Sequence, residues 1–190
     1  MYLTVMIGPE QQRNEVLSRL SQAVSLLEES MDFRLADGVP ANIGYAISGA
    51  RDGTGIASIP GGLVVRGGRV HAAGSCGFGA DDGIARIVLS AMKFDPEMRC
   101  AATIRYSGRI QNVLDNMFLE CCTVDRRGQA PGISTMDWGV ASCCKDGVPE
   151  AIVDPGVSPD AAAIYLFGEG PGDVAGNIIM LSNRIIRIEL

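Results

Sequence analysis

The stretch CAATIRYSGRIQNVLDNMFLECCTV, residues 100–124, decides the fold class. Cys100 to Tyr106 is an apolar run of strand length. Ser107 then stands where the pattern changes, a natural helix N-cap, and a helix is expected through Phe118. Leu119 to Val124 reads as a second strand. A strand, a capped helix and a strand in direct succession belong to a layered α/β sheet with at least some parallel pairing.

Downstream the alternation continues. Trp138 to Lys145 is expected to be a helix, Ala151 to Val153 and Ala162 to Phe167 short strands, and Asp173 to Asn183 a closing helix. Upstream, Asp95-Pro96 marks a break. Before it, Asp81-Asp82 precede a helical pattern of Ile84, Ile87, Val88, Ala91 and Met92, with carboxylates at the favourable end. Leu63-Val-Val-Arg66, Gly67-Gly68 and Arg69-Val-His-Ala-Ala make a hairpin signal, two apolar runs around a Gly-Gly turn. Asn42 to Ile47 is a candidate strand. From Pro9 to Met31, Val16, Leu20, Val24 and Leu27 recur at helical steps between polar residues. With no internal repeat and no low-complexity linker, residues 1–190 are expected to form one domain. The expected fold is α/β, a mixed sheet flanked by helices with a β-hairpin near the front.

Composition narrows the function. The net charge of −6 disfavours a duplex nucleic-acid partner, which needs a basic stripe. A few arginines in one cleft still suffice for a small anion. The six cysteines, Cys76, Cys100, Cys121, Cys122, Cys143 and Cys144, contain no Cys-x-x-Cys pair, and His71 is the only histidine, so zinc has no support. All six are expected as reduced, small core residues. The opening Met1-Tyr-Leu-Thr-Val-Met-Ile has no basic leader, and its apolar run is too short to span a membrane. Cytoplasm is therefore expected.

Gly74 to Ser107 carries a more specific signal: Gly-Ser-Cys-Gly-Phe-Gly-Ala-Asp-Asp-Gly-Ile-Ala-Arg, then Met92-Lys-Phe-Asp-Pro-Glu-Met-Arg99, then Ile104-Arg-Tyr-Ser. Asp125-Arg126-Arg127, Trp138-Gly139, Ile59-Pro-Gly, Val65-Arg66 and Gly68-Arg69-Val70 extend it. In this order the motifs resemble the archaeal thiamine-phosphate synthase domain of the ThiN type, from about Asn42 to Gly168. That family joins a pyrimidine diphosphate to a thiazole phosphate and releases pyrophosphate. Such chemistry calls for cations aimed at the leaving group and for a nearby proton donor.

The chain departs from the family pattern at that machinery. The family has an arginine directly after the hairpin's Pro-Gly, where this chain has Gly62. It has a histidine before the x-Ala-Arg of the next helix, where this chain has Gly83. These are the positions that the resemblance assigns to catalysis, and neither glycine can hold charge or a proton. A family Gly-Asp-x-Gly-Lys-Glu-Pro becomes Gly156-Val-Ser-Pro-Asp-Ala-Ala, and Thr103 stands where the family tends to have Asn. Losing one cationic transition-state contact costs on the order of 10²–10³ in rate.

Arginines can still fork onto phosphate oxygens. The candidate ligand residues are Arg66, Gly79, Arg86, Arg105, Asp125, Arg126 and Arg127. Each has a plainer reading. Arg105 with Tyr106 serves equally as a strand-end pair, and Arg86 as the partner of Asp82 one turn back. Asp125-Arg126-Arg127 is better placed, at a strand's carboxyl end. Gly77, Gly79 and Gly83 resemble a phosphate loop only weakly, although Gly79 ahead of a helix lends the amides some anion-binding character. Asp81 and Asp82 read as a helix cap before a magnesium site, and His71 as structural.

Two functions lead, ahead of a third in which the domain has drifted to another phosphorylated ligand. One is a non-catalytic domain that binds thiamine phosphate or a phosphorylated precursor and acts in sensing or regulation, as in archaeal thiamine-pathway repressors. The other is a working synthase, with magnesium as its metal, in which Arg66 and His71 have taken over. No direct nucleic-acid binding and no membrane partner are expected, and a homodimer is the commonest assembly for such a chain.

Overall fold

The computed structural model describes residues 8–125, 135–156 and 158–188. Helix α1 (Pro9–Ser30) begins with proline at its first position, where the missing N–H costs nothing, and buries Val16, Leu20, Ala23, Val24 and Leu27. Strands β1 (Asn42–Ala46) and β2 (Ile56–Ser58) follow, then the hairpin β3 (Leu63–Arg66) and β4 (Arg69–Ala72), and the short β5 (Gly77–Phe78). Helix α2 (Asp82–Met92) is capped by Asp81, whose side chain accepts from the amides of Gly83 and Ile84. The cap expected from the sequence is thus in place. Strand β6 (Cys100–Arg105) leads through the Ser107 cap into α3 (Gly108–Asp115). Next come β7 (Cys121–Thr123), α4 (Thr135–Cys143), β8 (Ala151–Asp154), β9 (Ala163–Gly168) and α5 (Pro171–Ile188).

Seven strands form one mixed sheet in the order β5-β2-β1-β6-β9-β8-β7, and β3 and β4 form a separate two-stranded sheet. The strand–helix alternation suggested parallel pairing, but only β7 and β8 run parallel, and every other neighbouring pair is antiparallel. The mixed sheet and hairpin are as expected. One face of the large sheet packs against α1, α3, α5 and the hairpin, around Leu20, Leu27, Ile43, Ile104, Leu114 and Leu166. The other face carries α2 and α4 over Ile84, Val88, Val140, Ile152 and Phe167. Among the described residues, no helix is long and apolar enough to cross a membrane.

The reduced state expected of all six cysteines holds for only four. Cys122 and Cys143 are joined by a disulfide between β7 and α4, while Cys76 and Cys121 are half-buried and Cys100 and Cys144 buried. The alternation of a strand explains the split. Cys121 packs against the core under α1, α3 and α5, and Cys122 points the opposite way, to α4. The bonded partner lies 21 residues away, and neither a Cys-x-x-Cys motif nor a vicinal pair could have signalled it.

Candidate functional site

Cross-strand register sets the floor of a cleft. Asn42 of β1 pairs with Thr103 of β6, Thr103 with Tyr165 of β9, and Tyr165 with Ile152 of β8. Directly paired residues share a sheet face, so Asn42, Thr103 and Tyr165 form one row beneath the start of α2. They line a cleft of about 360 Å³ together with Gly38, Asp81, Gly83, Ile87, Asp154 and Ala162. The cleft opens at the end of the sheet where β6, β7 and β8 present their carboxyl ends.

Asn42 is the organising residue. It is 2% exposed, and its Oδ1 accepts from the amides of Ile43 (2.8 Å) and Ile59 (3.2 Å). Its Nδ2 donates to Ile59 O (2.9 Å) and to Asp81 Oδ2 (2.7 Å). A buried amide with this many partners fixes the loop after β2 and the start of α2 relative to β1. Asp154, at the end of β8, is also buried, and its Oδ1 accepts from Gly156 N (2.9 Å). Gly156 has φ 67°, and a Cβ there would lie 2.7 Å from Ala161 C, so the turn admits glycine alone.

Gly62 and Gly83 lie on either side of the Asn42–Asp81 hydrogen bond. Gly83 lines the cleft beside Asp81. Gly62 has φ 73°, and a Cβ on it would stand 2.5 Å from Ala41 O and 3.8 Å from Asn42 Cβ. Gly83 thus borders the cleft directly, whereas Gly62 is related to it only through Asn42.

The other candidates divide. Arg105 ends β6 at the same edge of the sheet, with 3.9 Å from its Nη1 to Asp37 Oδ2, and lines an adjoining pocket with Arg34, Ser107 and Arg109. A further pocket, formed by Tyr106, Ser107, Pro155, Gly156, Ser158, Pro159 and Ala162, shares Ser107 with that one and Pro159 and Ala162 with the cleft. Together they make a path from the cleft to the N-terminus of α3, where Ser107 Oγ accepts from Ile110 N. Tyr106 donates its hydroxyl to Gln111 Oε1 at 3.3 Å. Asp125 is exposed just past β7, beside the end of β8, where Val124 N donates to Val153 O. Arg126 and Arg127 lie outside the described residues.

Arg66 and His71 belong to the hairpin, where Arg66 pairs with Arg69 and His71 with Val64, and neither lines the cleft. The Gly79 amide donates to Ile56 O at 3.0 Å, and the Asp81 carboxylate fills the start of α2. Arg86 is exposed and lines a separate depression with Arg51 and Lys93. Among the described residues, no ion pair joins it to Asp82. Arg99, another arginine at a family position, donates to Tyr45 Oη (3.0 Å) and supports the core.

Magnesium in such a site would need a free carboxylate. Asp81 is committed to the helix cap and Asn42, and Asp154 to the Gly156 turn. No group of three metal-capable side chains gathers among the described residues. Asn42, Asp154 and Tyr165 escaped the sequence reading. Asp154 had a signal, a carboxylate at the carboxyl end of a short strand. Asn42 had none, because its partners other than the adjacent Ile43 lie 17 and 39 residues away.

A model of the family described as thiamine-phosphate synthase ThiN matches residues 19–180. The bifunctional thiamine biosynthesis protein ThiDN of Methanocaldococcus jannaschii is 32% identical over 169 residues, 87% of this chain and 40% of that protein. The chain thus spans about two fifths of the length of that relative. The crystal structure of the C-terminal domain of protein MJ0236 superposes with a TM-score of 0.84 at 30% identity, covering 96% of this chain and 99% of that one. The C-terminal domain of a phosphomethylpyrimidine kinase gives 0.79 at 30% identity, over 88% and 98%. L-fuculose 1-phosphate aldolase from Glaciozyma antarctica shares the fold alone, at 14% identity and a TM-score of 0.54, over 100% of this chain and 77% of that one.

Proposed function

The chain belongs to the thiamine-phosphate synthase ThiN family, and from that premise we propose that it is a non-catalytic member that binds thiamine phosphate or a phosphorylated precursor. In this reading it acts as a sensor or regulator of thiamine metabolism. The observation that carries the reading is the pair of glycines beside the Asn42–Asp81 hydrogen bond. Gly83, at the family's histidine position, lines the cleft, Gly62, at its arginine position, stands 3.8 Å in Cβ distance from Asn42, and neither glycine carries a group that could stabilise or protonate a departing pyrophosphate.

Binding needs less than catalysis does. The row of Asn42, Thr103 and Tyr165 offers a polar floor for a heterocycle. The path past Ser107 leads to Arg105 and the first amides of α3, where a phosphate gains from a guanidinium fork and a helix N-terminus. The retained-synthase reading gains no support, since Arg66 and His71 stand away from the cleft.

The test is product formation. Purified protein with hydroxymethylpyrimidine diphosphate, thiazole phosphate and magnesium, assayed by fluorescence beside an active ThiN enzyme, is expected to form no thiamine phosphate. Calorimetric titration with thiamine phosphate is expected to show saturable binding, weakened about tenfold or more by Arg105→Ala. Turnover near that of the control would overturn the proposal, and so would the absence of binding by folded protein.

A further inference from the structure

A cluster of unspent donors lies at the other end of the sheet from the cleft, where β1 and β9 present their carboxyl ends and α5 begins. Tyr45 of β1 pairs with Cys100 of β6, and Cys100 with Gly168, the last residue of β9. Tyr45 is 1% exposed. Its hydroxyl oxygen accepts from two guanidinium groups, Arg19 Nη1 of α1 at 2.8 Å and Arg99 Nη2 at 3.0 Å. Both groups stand over the same ring, 5.3 and 5.2 Å from its centroid. Two like charges are thus held on one neutral oxygen, and among the described residues neither makes an ion pair. Arg99 Nε is buried with no acceptor. The Tyr45 hydroxyl proton has none among the described residues either, since both bonds at that oxygen are bonds it accepts.

The turn from β9 into α5 brings further donors to the same place. It reads Gly168-Glu-Gly-Pro-Gly-Asp173, and Arg19 Nη2 comes so near that a Cβ on Gly170 would stand 2.6 Å from it. Pro171 opens α5 without an N–H, and the amides of Gly172 and Asp173 sit in a first turn that offers them no intrahelical acceptor. Gly170, just before the helix, has no side chain with which to cap them. The carboxylates of this turn, Glu169 and Asp173, are exposed, and Asp173 Oδ2 is 3.6 Å from that same Gly170 position. Burial raises the Cys100 thiol, Asp173 raises it further, and Arg19 and Arg99 lower it, so all three charges surround one sulfur.

We propose that this junction of α1, β1, β6 and α5 is a binding site for a phosphate-type oxyanion, held by the Arg19 and Arg99 guanidiniums and the Gly172 and Asp173 amides. Buried donors without acceptors carry a cost that an oxyanion removes, and its charge relieves two guanidiniums that repel each other. Guanidinium forks match the geometry of phosphate oxygens, and the positive end of a helix adds to the attraction. Asp173 opposes the anion, so its carboxylate sets a ceiling on affinity. The site shares no residue with the cleft or its adjoining pockets, and it does not rest on the function proposed for them.

Titrations of the full chain with inorganic phosphate and with glycerol 3-phosphate, followed by amide NMR against chloride at matched ionic strength, test the proposal. Both phosphates are expected to shift the Gly172 and Asp173 amides saturably, and chloride is not. Tighter binding of glycerol 3-phosphate would mark the phosphate end of a metabolite as the ligand, and tighter or equal binding of inorganic phosphate the free ion. Arg19→Ala, a change at an exposed side chain, should weaken binding at least about tenfold. Arg99→Lys, which keeps the charge and loses the fork, should weaken it too. Asp173→Asn should tighten it by about two- to fivefold, the effect of one exposed charge. Arg105→Ala, which removes the phosphate contact proposed beside the cleft, should leave the response of these two amides as it is. No saturable shift at Gly172 and Asp173, or an equal one in chloride, would overturn the proposal. So would binding that survives Arg19→Ala or that weakens in Asp173→Asn.

Discussion

Replacing Gly62 by alanine tests whether this backbone has closed position 62 to every L-residue. Gly62 sits at φ 73°, and placing a side chain in the left-handed region costs about 1–2 kcal/mol. The new Cβ would stand 2.5 Å from Ala41 O, well inside contact distance. That oxygen accepts from Leu63 N at 2.8 Å, and Gly62 O accepts from Ala73 N at 2.9 Å, so neither strand of the junction can move without lengthening a bond. A compromised hydrogen bond adds about 1 kcal/mol. The expected loss is therefore about 2–3 kcal/mol, or roughly 4–12 °C in Tm for a chain of this size. Thermal and urea unfolding followed by circular dichroism measure it. Gly83→Ala is the matched control. Gly83 lies in the first turn of α2 with only Asp81 Oδ1 near its Cβ position, at 3.1 Å, so the change should stay within about 0.5 kcal/mol of the parent. If Gly62→Ala unfolds like the parent, or Gly83→Ala costs as much as Gly62→Ala, the reasoning fails. By the same reasoning Gly83→His should fold, whereas Gly62→Arg needs the loop rebuilt.

Two further outcomes follow from the cysteines and from an ion pair. Denatured without reductant the chain should titrate four thiols, and six after reduction. Reduction should cost about 3 kcal/mol of stability, as expected for a bridge spanning 21 residues. In the folded state labelling at pH 8 should be slow, because burial pushes the Cys144 thiol up to about 11 and raises the Cys76, Cys100 and Cys121 thiols as well. Asp32 is held below the usual carboxylate range, first by the Arg34 side chain, which donates from Nε at 2.8 Å and from Nη2 at 2.6 Å. A depressed carboxyl contributes stability that is complete above its unfolded value of 3.8 and lost as pH falls through the folded value. Asp32→Asn should therefore lower the unfolding free energy in urea at pH 6 by about 1 kcal/mol, for a pair whose arginine is partly exposed. That difference should shrink below pH 3.8, and a gap that stays constant down to pH 2 would refute the assignment.

Local features were legible where chemistry and sequence neighbours coincide. The Gly67–Gly68 hairpin, the Asp81 and Ser107 caps and the buried stripe of α1 depend on contacts within a few residues, and the structure places them as the sequence implies. Pairing direction was not legible. An alternation of strand and helix reads as parallel crossover, yet β6 and β9, adjacent and antiparallel, are separated by α3, β7, α4 and β8. Register between distant strands is set by which faces the packing buries, and no window of sequence contains that information. The cleft fell between these cases. The resemblance pointed to Gly62 and Gly83, but the row of Asn42, Thr103 and Tyr165 exists only once β1, β6 and β9 are in register.

If the site is non-catalytic, as proposed, the same register explains how it could lose its chemistry without losing its shape. The walls of the cleft depend on Asn42, whose four hydrogen bonds join β1, the loop after β2 and the α2 cap. None of those bonds passes through a side chain at position 62 or 83. Removing an arginine and a histidine from these two points takes away charge and a proton donor while leaving the framework's hydrogen bonds intact. Each lost transition-state contact costs on the order of 10²–10³ in rate. The ground-state binding proposed for the floor and Arg105 does not depend on either contact. On the proposed reading, catalysis and recognition were therefore separable in this fold from the outset. The separation predicts its own asymmetry: a ligand-binding cleft tolerates glycine at 62 and 83, but not the loss of Asn42.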